Sequence, residues 1–253
     1  MAMDDAIILP KTFPHHSVEL GSLVRNPKRL NEHPFLPNTK LTETFKMNEP
    51  NEEPNDKKFI SLNNKGYLSA VLANFIGVIV GGQTAALLQV EGGTFTTRSF
   101  KDIWSAFENV CRDSDAKKWF GDMAMSTKYV YFVTGIQELT SAKCTTALYK
   151  QAGADGWMTV PVDQMGSGEV KFAAGFDLGK FDYSKGKVDG IFGIEVQKVA
   201  IKTRGKGEPP QLKDSFEWVR AYEVHRGAGM DEGIVEVALE GAAHVEDIKE
   251  LRI

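Results

Sequence analysis

The 253-residue sequence predicts an α+β fold, in which helices are inserted into a twisted, largely antiparallel sheet with two long amphipathic hairpin regions. Segments of alternating apolar and polar residues predict the strands, because alternate side chains of a strand lie on opposite faces. Apolar residues at helical spacing predict helices within residues 100–125. The 24 glycines, many of them inside apolar stretches, favour turns and bent strands over long helices.

The clearest alternation lies in residues 169–178, EVKFAAGFDL. Its ten residues match the roughly 9–11 that a tilted transmembrane strand needs. A half-buried strand of a soluble protein shows the same alternation, so both interpretations stay open at this point. The predicted apolar face consists of Val170, Phe172, Ala174, Phe176 and Leu178.

The first 60 residues contain seven prolines, which limit regular structure to short pieces. Residues 17–25 predict two helical turns, because their apolar residues recur at helical spacing. The basic residues Arg25, Lys28 and Arg29 follow directly, and Lys40 extends this cluster.

Residues 67–98 predict the first long hairpin, with Gly81 and Gly82 at the reversal and Ala86, Leu88 and Val90 on its apolar face. The longest apolar run, residues 67–80, has 14 residues, fewer than the roughly 20 of a transmembrane helix.

Residues 100–125 predict two helices, the first with an N-terminal cap from Ser99 and Asp102 and the second restarting at Ser114 and Asp115. The helical stripe consists of Phe100, Ile103, Trp104, Phe107, Val110 and Cys111.

Residues 128–136, KYVYFVTGI, form a continuous β-branched and aromatic run, which predicts a strand buried on both faces. Residues 143–183 predict the second long hairpin, in which residues 169–178 return and pair with residues 143–150. Its first strand places Cys144, Thr146 and Leu148 on one face. Further strands are predicted over residues 194–202, with a bulge near Gln197 and Lys198, and over residues 216–224. A short helix is predicted after Gly241.

The net charge of −4 argues against nucleic acid as a partner. After Arg226 the chain has seven acidic residues and two basic ones. We therefore expect one domain over residues 1–226 and an acidic tail over residues 227–253. The two cysteines do not form a disulfide framework, and the first residues do not form a signal peptide, so we expect a cytoplasmic protein.

The motifs of common enzyme families are missing: the sequence has no G-x-S-x-G, no H-E-x-x-H, no P-loop and no G-x-G-x-x-G after a strand. The five histidines lack the spacing of metal ligands. We therefore expect no enzyme, no catalytic residue, no metal site and no cofactor. The cluster of Arg25, Lys28, Arg29 and Lys40 is either a solvated loop or a docking point for acidic lipid headgroups, worth about 1 kcal/mol per basic residue.

The order of the segments carries a resemblance. An amphipathic hairpin precedes a helical region with Trp119 and Phe120, followed by KYVYFVTGIQEL, a second hairpin, GIFGIEVQKVAIK and FEWVRAYEV. This order resembles the pore-forming N-terminal domain of gasdermins, in particular the short gasdermin-like proteins of filamentous fungi. The resemblance covers residues 20–224 and is a pattern of segments without an invariant motif.

The resemblance implies a soluble cytoplasmic monomer that binds acidic membrane lipids, oligomerises at the plasma membrane and inserts two hairpin regions as a β-barrel pore that kills the cell. The inserting regions would be residues 68–100 and 143–183, with the apolar faces named above toward lipid. The lipid-binding role would pass to Arg25, Lys28 and Arg29 after the first short helix, with Lys40.

The resemblance also implies an unusual mode of control. Animal gasdermins carry a C-terminal domain that masks the pore-forming half, whereas this chain ends 27 residues after Arg226. We expect control by a divergent allelic variant of the same protein, as in fungal allorecognition, by the acidic tail or by lipid availability. The alternatives are a soluble heterodimerising recognition module, or a small-ligand carrier or enzyme with a dispersed site.

Overall fold

The computed structural model describes residues 7–54, 57–62, 68–72, 84–151, 157–161, 187–206, 219–224 and 233–243. Within these residues the chain forms twelve strands and three helices. The strands are β1 Ile7–Phe13, β2 Leu23–Val24, β3 Asn51–Pro54, β4 Lys57–Leu62, β5 Leu68–Leu72, β6 Thr84–Glu91, β7 Thr94–Ser99, β8 Tyr129–Gln151, β9 Trp157–Pro161, β10 Lys187–Gly205, β11 Val219–Val224 and β12 Gly233–Ala242. The helices are α1 Thr39–Thr42, α2 Ile103–Arg112 and α3 Ser114–Met123.

The strands belong to one sheet, whose main order is β11-β12-β10-β8-β6-β4-β5. Strands β1, β2, β3, β7 and β9 pair at the sides of this order. The strand pairs with a described register are antiparallel. A mostly antiparallel sheet with a few helices agrees with the predicted α+β class.

The chain divides into two compact units. Unit 1 consists of Met1–His15, Pro50–Thr97 and Gln137–Ile194, and unit 2 of His16–Glu49, Arg98–Ile136 and Glu195–Ile253. The long strands β8 and β10 each continue from one unit into the other. The predicted division into a domain of residues 1–226 and a tail of residues 227–253 stays a prediction.

The core of unit 2 is aromatic. Phe132 of β8 is fully buried, and its ring centroid lies 5.7 Å from that of Phe100 and 5.1 Å from that of Phe107. The Phe45 ring meets Phe100 edge-on at 5.0 Å. Burying each such side chain contributes roughly 1.5–3 kcal/mol. Residues 130–136 of β8 are all buried, which confirms the predicted strand with two buried faces.

The two predicted helices are confirmed, with shifted starts. Asp102 caps α2 by accepting a hydrogen bond from the Ser105 N–H at 3.0 Å, so the helix begins at Ile103 and not at Phe100. Asp113, one residue before the predicted restart, caps α3 by accepting from the Asp115 and Ala116 N–H groups. A carboxylate at this position satisfies amide donors that lack a partner inside the helix.

The predicted helix over residues 17–25 is wrong. Gly21 has φ +86, and a Cβ atom added there would lie 2.7 Å from the Phe45 ring. Leu23 and Val24 form β2, which pairs with Phe132 and Tyr131 of β8. The apolar residues at helical spacing are buried, but a strand and turns bury them.

The predicted hairpin over residues 67–98 is also wrong. Strand β4 pairs with β5 along one edge and with β6 along the other, so it lies between the two strands of the predicted hairpin. The sequence analysis did not predict β4, because the segment before residue 60 is polar and contains prolines.

In the second predicted hairpin the return strand differs. Ala147–Gln151 pairs with β9, a segment that the sequence assigned to the turn region. Residues 147–150 therefore have β6 on one edge and β9 on the other, which excludes the predicted pairing with residues 169–178 there. Residues 169–178, with Val170, Phe172, Ala174, Phe176 and Leu178, lie outside the described residues.

The last strands show one confirmed prediction and one difference. The register of β10 on β12 shifts between Lys198 and Val199, which confirms the predicted bulge, and β11 lies within the predicted strand of residues 216–224. The difference is β12, which occupies part of the predicted acidic tail and continues past Gly241 to Ala242. Glu236 of β12 is buried because Arg204 Nε donates to its Oε1 at 2.6 Å.

Candidate functional site

The first candidate surface is a face of the sheet in unit 1. Strands β6 and β8 pair in antiparallel register, and residues directly opposite each other in such a pair share a face. The register places six predicted lipid-facing residues as three opposed pairs: Ala86 with Leu148, Leu88 with Thr146 and Val90 with Cys144. The structure therefore brings the described part of the predicted apolar set onto one face.

This apolar face extends over five adjacent strands. One row across β5, β4, β6, β8 and β9 consists of Leu68, Leu62, Ala86, Leu148 and Val160. The next row contains Ala70, Ile60, Leu88 and Thr146. A third row contains Leu72, Lys58, Val90 and Cys144, and a row at the other end contains Thr84, Lys150 and Met158, so two lysine positions interrupt an otherwise uncharged face. We call these positions the apolar face.

The opposite face of the same strands is more polar, although one of its rows consists of Val71, Phe59, Gln89 and Thr145. The row beside the first one consists of Ser69, Ser61, Leu87, Ala147 and Pro161. Lys57, Glu91 and Lys143 form a row of alternating charge. Opposite charges on neighbouring strands stabilise such a pairing modestly. The five strands thus form an amphipathic sheet, with eight residues in β6, close to the roughly 9–11 of a tilted transmembrane strand.

The second candidate surface is the basic loop of unit 2, residues 25–34. The Leu23 and Phe35 backbones close its base with two hydrogen bonds of 3.0 and 3.1 Å. Leu30 is buried, and Trp119 Nε1 of α3 donates to the His33 carbonyl oxygen at 2.8 Å. These contacts hold the loop in one conformation although it contains no helix or strand.

The predicted lipid-binding residues differ in exposure. Arg25 and Lys40 are exposed, and Lys28 and Arg29 are half-buried. Arg29 Nη1 lies 2.8 Å from Glu32 Oε1 in a surface ion pair. Such surface pairs contribute about 0–1 kcal/mol to stability. Arg25, Lys28 and Arg29 follow β2 and its turn, and Lys40 lies on α1.

The sequence did not indicate that Lys46 and Lys101 belong to the same region of unit 2. The Lys101 N–H donates to the Lys46 carbonyl oxygen at 2.8 Å. The adjacent residues Met47 and Phe100 form an isolated antiparallel β-bridge. Residues 25–46 carry five basic and two acidic residues. The excess of basic residues in this window is a sequence signal that would have added Lys46 to the basic cluster.

Unit 2 also exposes large apolar side chains. Leu36 is 46% exposed, Met47 51% and Trp104 41%. Trp104 belongs to the stripe at helical spacing, but the buried face of α2 consists of Ala106, Phe107, Val110 and Cys111. Exposed tryptophan beside basic residues is typical of surfaces that meet the membrane interface.

The described histidines do not form a catalytic or metal-binding group. His15 Nδ1 lies 2.9 Å from Oε1 of Glu138, a buried residue of unit 1, whereas His16 and His33 are exposed. Within the described ranges, no three histidine, cysteine or acidic side chains are placed to hold a metal ion.

No described helix has both the length and the apolar character needed to span a membrane. Comparison with protein-family models and with curated proteins finds no match to this chain.

Proposed function

We propose that the protein forms membrane pores that cause regulated cell death, by binding acidic lipids, oligomerising and inserting strands of unit 1. The resemblance to short fungal gasdermin-like proteins motivates the proposal and assigns it to fungal allorecognition. The observation that carries it is the apolar face, with its row of five apolar residues across five paired strands. The opposite face, with its alternating lysine and glutamate row, suits water.

Backbone pairing supports the proposal on physical grounds. In lipid every backbone N–H and C=O must have a partner, because no water is present to replace it. Strands β4, β6 and β8 already satisfy each other through antiparallel pairing. The outer edges of such a sheet need further strands, which further copies of the chain supply. Pore formation by this route therefore requires oligomerisation.

Charge and exposure in unit 2 support the step of lipid binding. Arg25, Lys28, Arg29 and Lys40, together with Lys46 and Lys101, offer basic groups to acidic headgroups, each worth about 1 kcal/mol at an anionic surface. The exposed Met47 and Trp104 flank Lys46 and Lys101 in the chain and suit the boundary between headgroups and acyl chains. The partners are then acidic membrane lipids, further copies and a divergent allelic variant.

Dye release from liposomes tests the proposal. We expect release from vesicles that contain phosphatidylserine, with the chain alone or mixed with a divergent variant, and little release from phosphatidylcholine vesicles. Absence of release from every lipid composition, with and without the variant, contradicts pore formation.

Two neighbouring leucines of β6 supply a matched pair of variants. Leu88→Asp puts a charge on the apolar face and should abolish release, because every subunit then bears the cost of a charge toward lipid, somewhat less than the ~2–4 kcal/mol of an arginine or lysine at the bilayer centre. Leu87→Asp puts the same charge on the opposite face and should preserve release. Circular dichroism checks that both variants fold. Equal release from both variants contradicts the assignment of the faces.

A specific observation favours a second candidate, the soluble recognition module. Met125 and Tyr129 are exposed large side chains only four residues apart in unit 2, as in many protein-binding surfaces. This candidate predicts a stable heterodimer with a divergent variant in solution and no dye release. Sizing by light scattering together with the release assay separates the two functions.

A further inference from the structure

Gln137 of β8 has a buried amide for which the described part of the chain offers no hydrogen-bond partner. The side chain is 0% exposed, and neither its Oε1 nor its Nε2 has a partner among the described residues. In the unfolded or opened chain both atoms bond to water, so burial removes these bonds without replacing them. The closed fold of unit 1 therefore loses stability at this position.

Gly193 of β10 lies directly against this amide. A Cβ atom added at Gly193 would lie 2.7 Å from Gln137 Oε1 and 3.4 Å from Gln137 Cβ, so the side chain rests against bare backbone. Gly193 also pairs with Ile8 of β1. The amide thus lies where β8, β10 and the N-terminal strand meet inside unit 1.

Other buried polar groups show how the chain treats such groups elsewhere. Glu138 is paired with His15 at 2.9 Å, and Glu236 with Arg204 at 2.6 Å. The fully buried Ser22 accepts a hydrogen bond from the Glu19 N–H at 3.0 Å. Within the described part of the chain, Gln137 is the exception to this rule.

We propose that Gln137 is a built-in weak point, at which the sheet of unit 1 opens by separation of β1 and the 191–194 part of β10 from β8. Opening lets the amide form hydrogen bonds to water again. The residue therefore lowers the free-energy difference between the open and the closed form. The opening is independent of what the protein does. Its use as the first step of pore formation rests on the proposed function.

Gln137→Met tests the weak point, because methionine keeps the size of the side chain and removes the polar atoms. We expect a melting temperature about 2–4 °C above that of the unchanged protein. Hydrogen–deuterium exchange in β1 and in residues 191–194 should slow by about tenfold, while exchange in β12 of unit 2 stays unchanged. Gln137→Leu is a second variant, in case methionine packs poorly.

Ser22→Ala is the matched control, because it removes a buried polar group that has a partner. It should lower the melting temperature, opposite in sign to the effect at Gln137. A rise in melting temperature with slowed exchange in either Gln137 variant supports the proposal. If neither variant raises the melting temperature or slows the exchange, the weak point is overturned.

Dye release then separates the two proposals. At equal binding to phosphatidylserine vesicles, Gln137→Met should release dye about tenfold more slowly than the unchanged protein, the effect of about 1.4 kcal/mol on the opening step. If the unchanged protein releases no dye, the proposed function fails. The hydrogen–deuterium exchange rates and the melting temperatures then still test whether Gln137 is a weak point. If exchange slows and release does not, opening at Gln137 is not a step of pore formation.

Discussion

Strand β8 carries two different sequence patterns along its length, and each lies in a different unit. Residues 130–136, in unit 2, are continuously apolar apart from Thr134 and Gly135, and all of them are buried. Residues 143–150, in unit 1, alternate, and their apolar positions oppose those of β6. The first pattern fixes a permanent core, because both faces are covered. The second gives a sheet with two unlike faces, one of which is mostly apolar.

The largest expected loss of stability comes from a substitution in the first part of β8. Phe132→Ala removes a ring that contacts Phe100 and Phe107 and should lower the free energy of unfolding by about 3–5 kcal/mol. Urea denaturation followed by fluorescence measures it. Tyr129→Ala is the control on the same strand, because Tyr129 is exposed and Lys198 Nζ lies 4.0 Å from its ring centroid, so the loss should stay below about 1 kcal/mol. Equal losses contradict the assignment of a two-sided core.

A smaller effect concerns the basic surface of unit 2, on which the proposed lipid binding depends. Replacing both Arg25 and Lys40 with serine should weaken binding to phosphatidylserine vesicles by about 2 kcal/mol, roughly 30-fold. Vesicle co-sedimentation measures the affinity. Serine at both Lys118 and Lys202, two other exposed lysines of unit 2, removes the same charge elsewhere. An equal loss in this control shows that total charge, and not this surface, governs binding.

Trp119→Phe should have an effect of about 1 kcal/mol, because it removes the hydrogen bond from the indole Nε1 to the His33 carbonyl and keeps an aromatic ring. Thermal unfolding measures this loss, and faster hydrogen exchange in residues 25–34 locates it. Unchanged exchange in that loop indicates that the Leu23–Phe35 closure alone holds it.

The last prediction changes stability least and tests the register of the second part of β8. Val90→Cys places a thiol directly opposite Cys144, and opposed residues of antiparallel strands have Cα atoms about 4.5–5.5 Å apart, within the range of a disulfide. Mild oxidation should therefore link the two residues, as seen by mass spectrometry of peptides. Gln89→Cys, opposite Thr145, should not link to Cys144. A disulfide in the control indicates a different register.

Several elements were predictable because their signals are local. The two-sided burial of residues 130–136 follows from an unbroken apolar run, and α2 and α3 follow from helical spacing and the nearby aspartates. The bulge at Lys198 follows from a change of parity within one strand. Each of these signals lies within about ten residues, so no knowledge of the partner strands was needed.

Other elements were not predictable, because they depend on distant partners. The helical spacing of residues 17–25 is satisfied by burial in turns and in β2, since Leu23 and Val24 find backbone partners on β8. β12 was hidden because Glu236 interrupts its apolar pattern, and Arg204, 32 residues away, makes that burial possible. The insertion of β4 between β5 and β6 likewise depends on pairing across the sheet.

The candidate site divides in the same way. The sequence by itself determined which residues alternate, which are basic and which runs are apolar throughout, because these properties belong to neighbouring residues. Only the tertiary structure decided that Ala86, Leu88 and Val90 oppose Leu148, Thr146 and Cys144, and that Gln137 is buried against Gly193 without a hydrogen-bond partner among the described residues. Register and burial are set by strands far apart in the chain, whose pairing a local pattern does not contain.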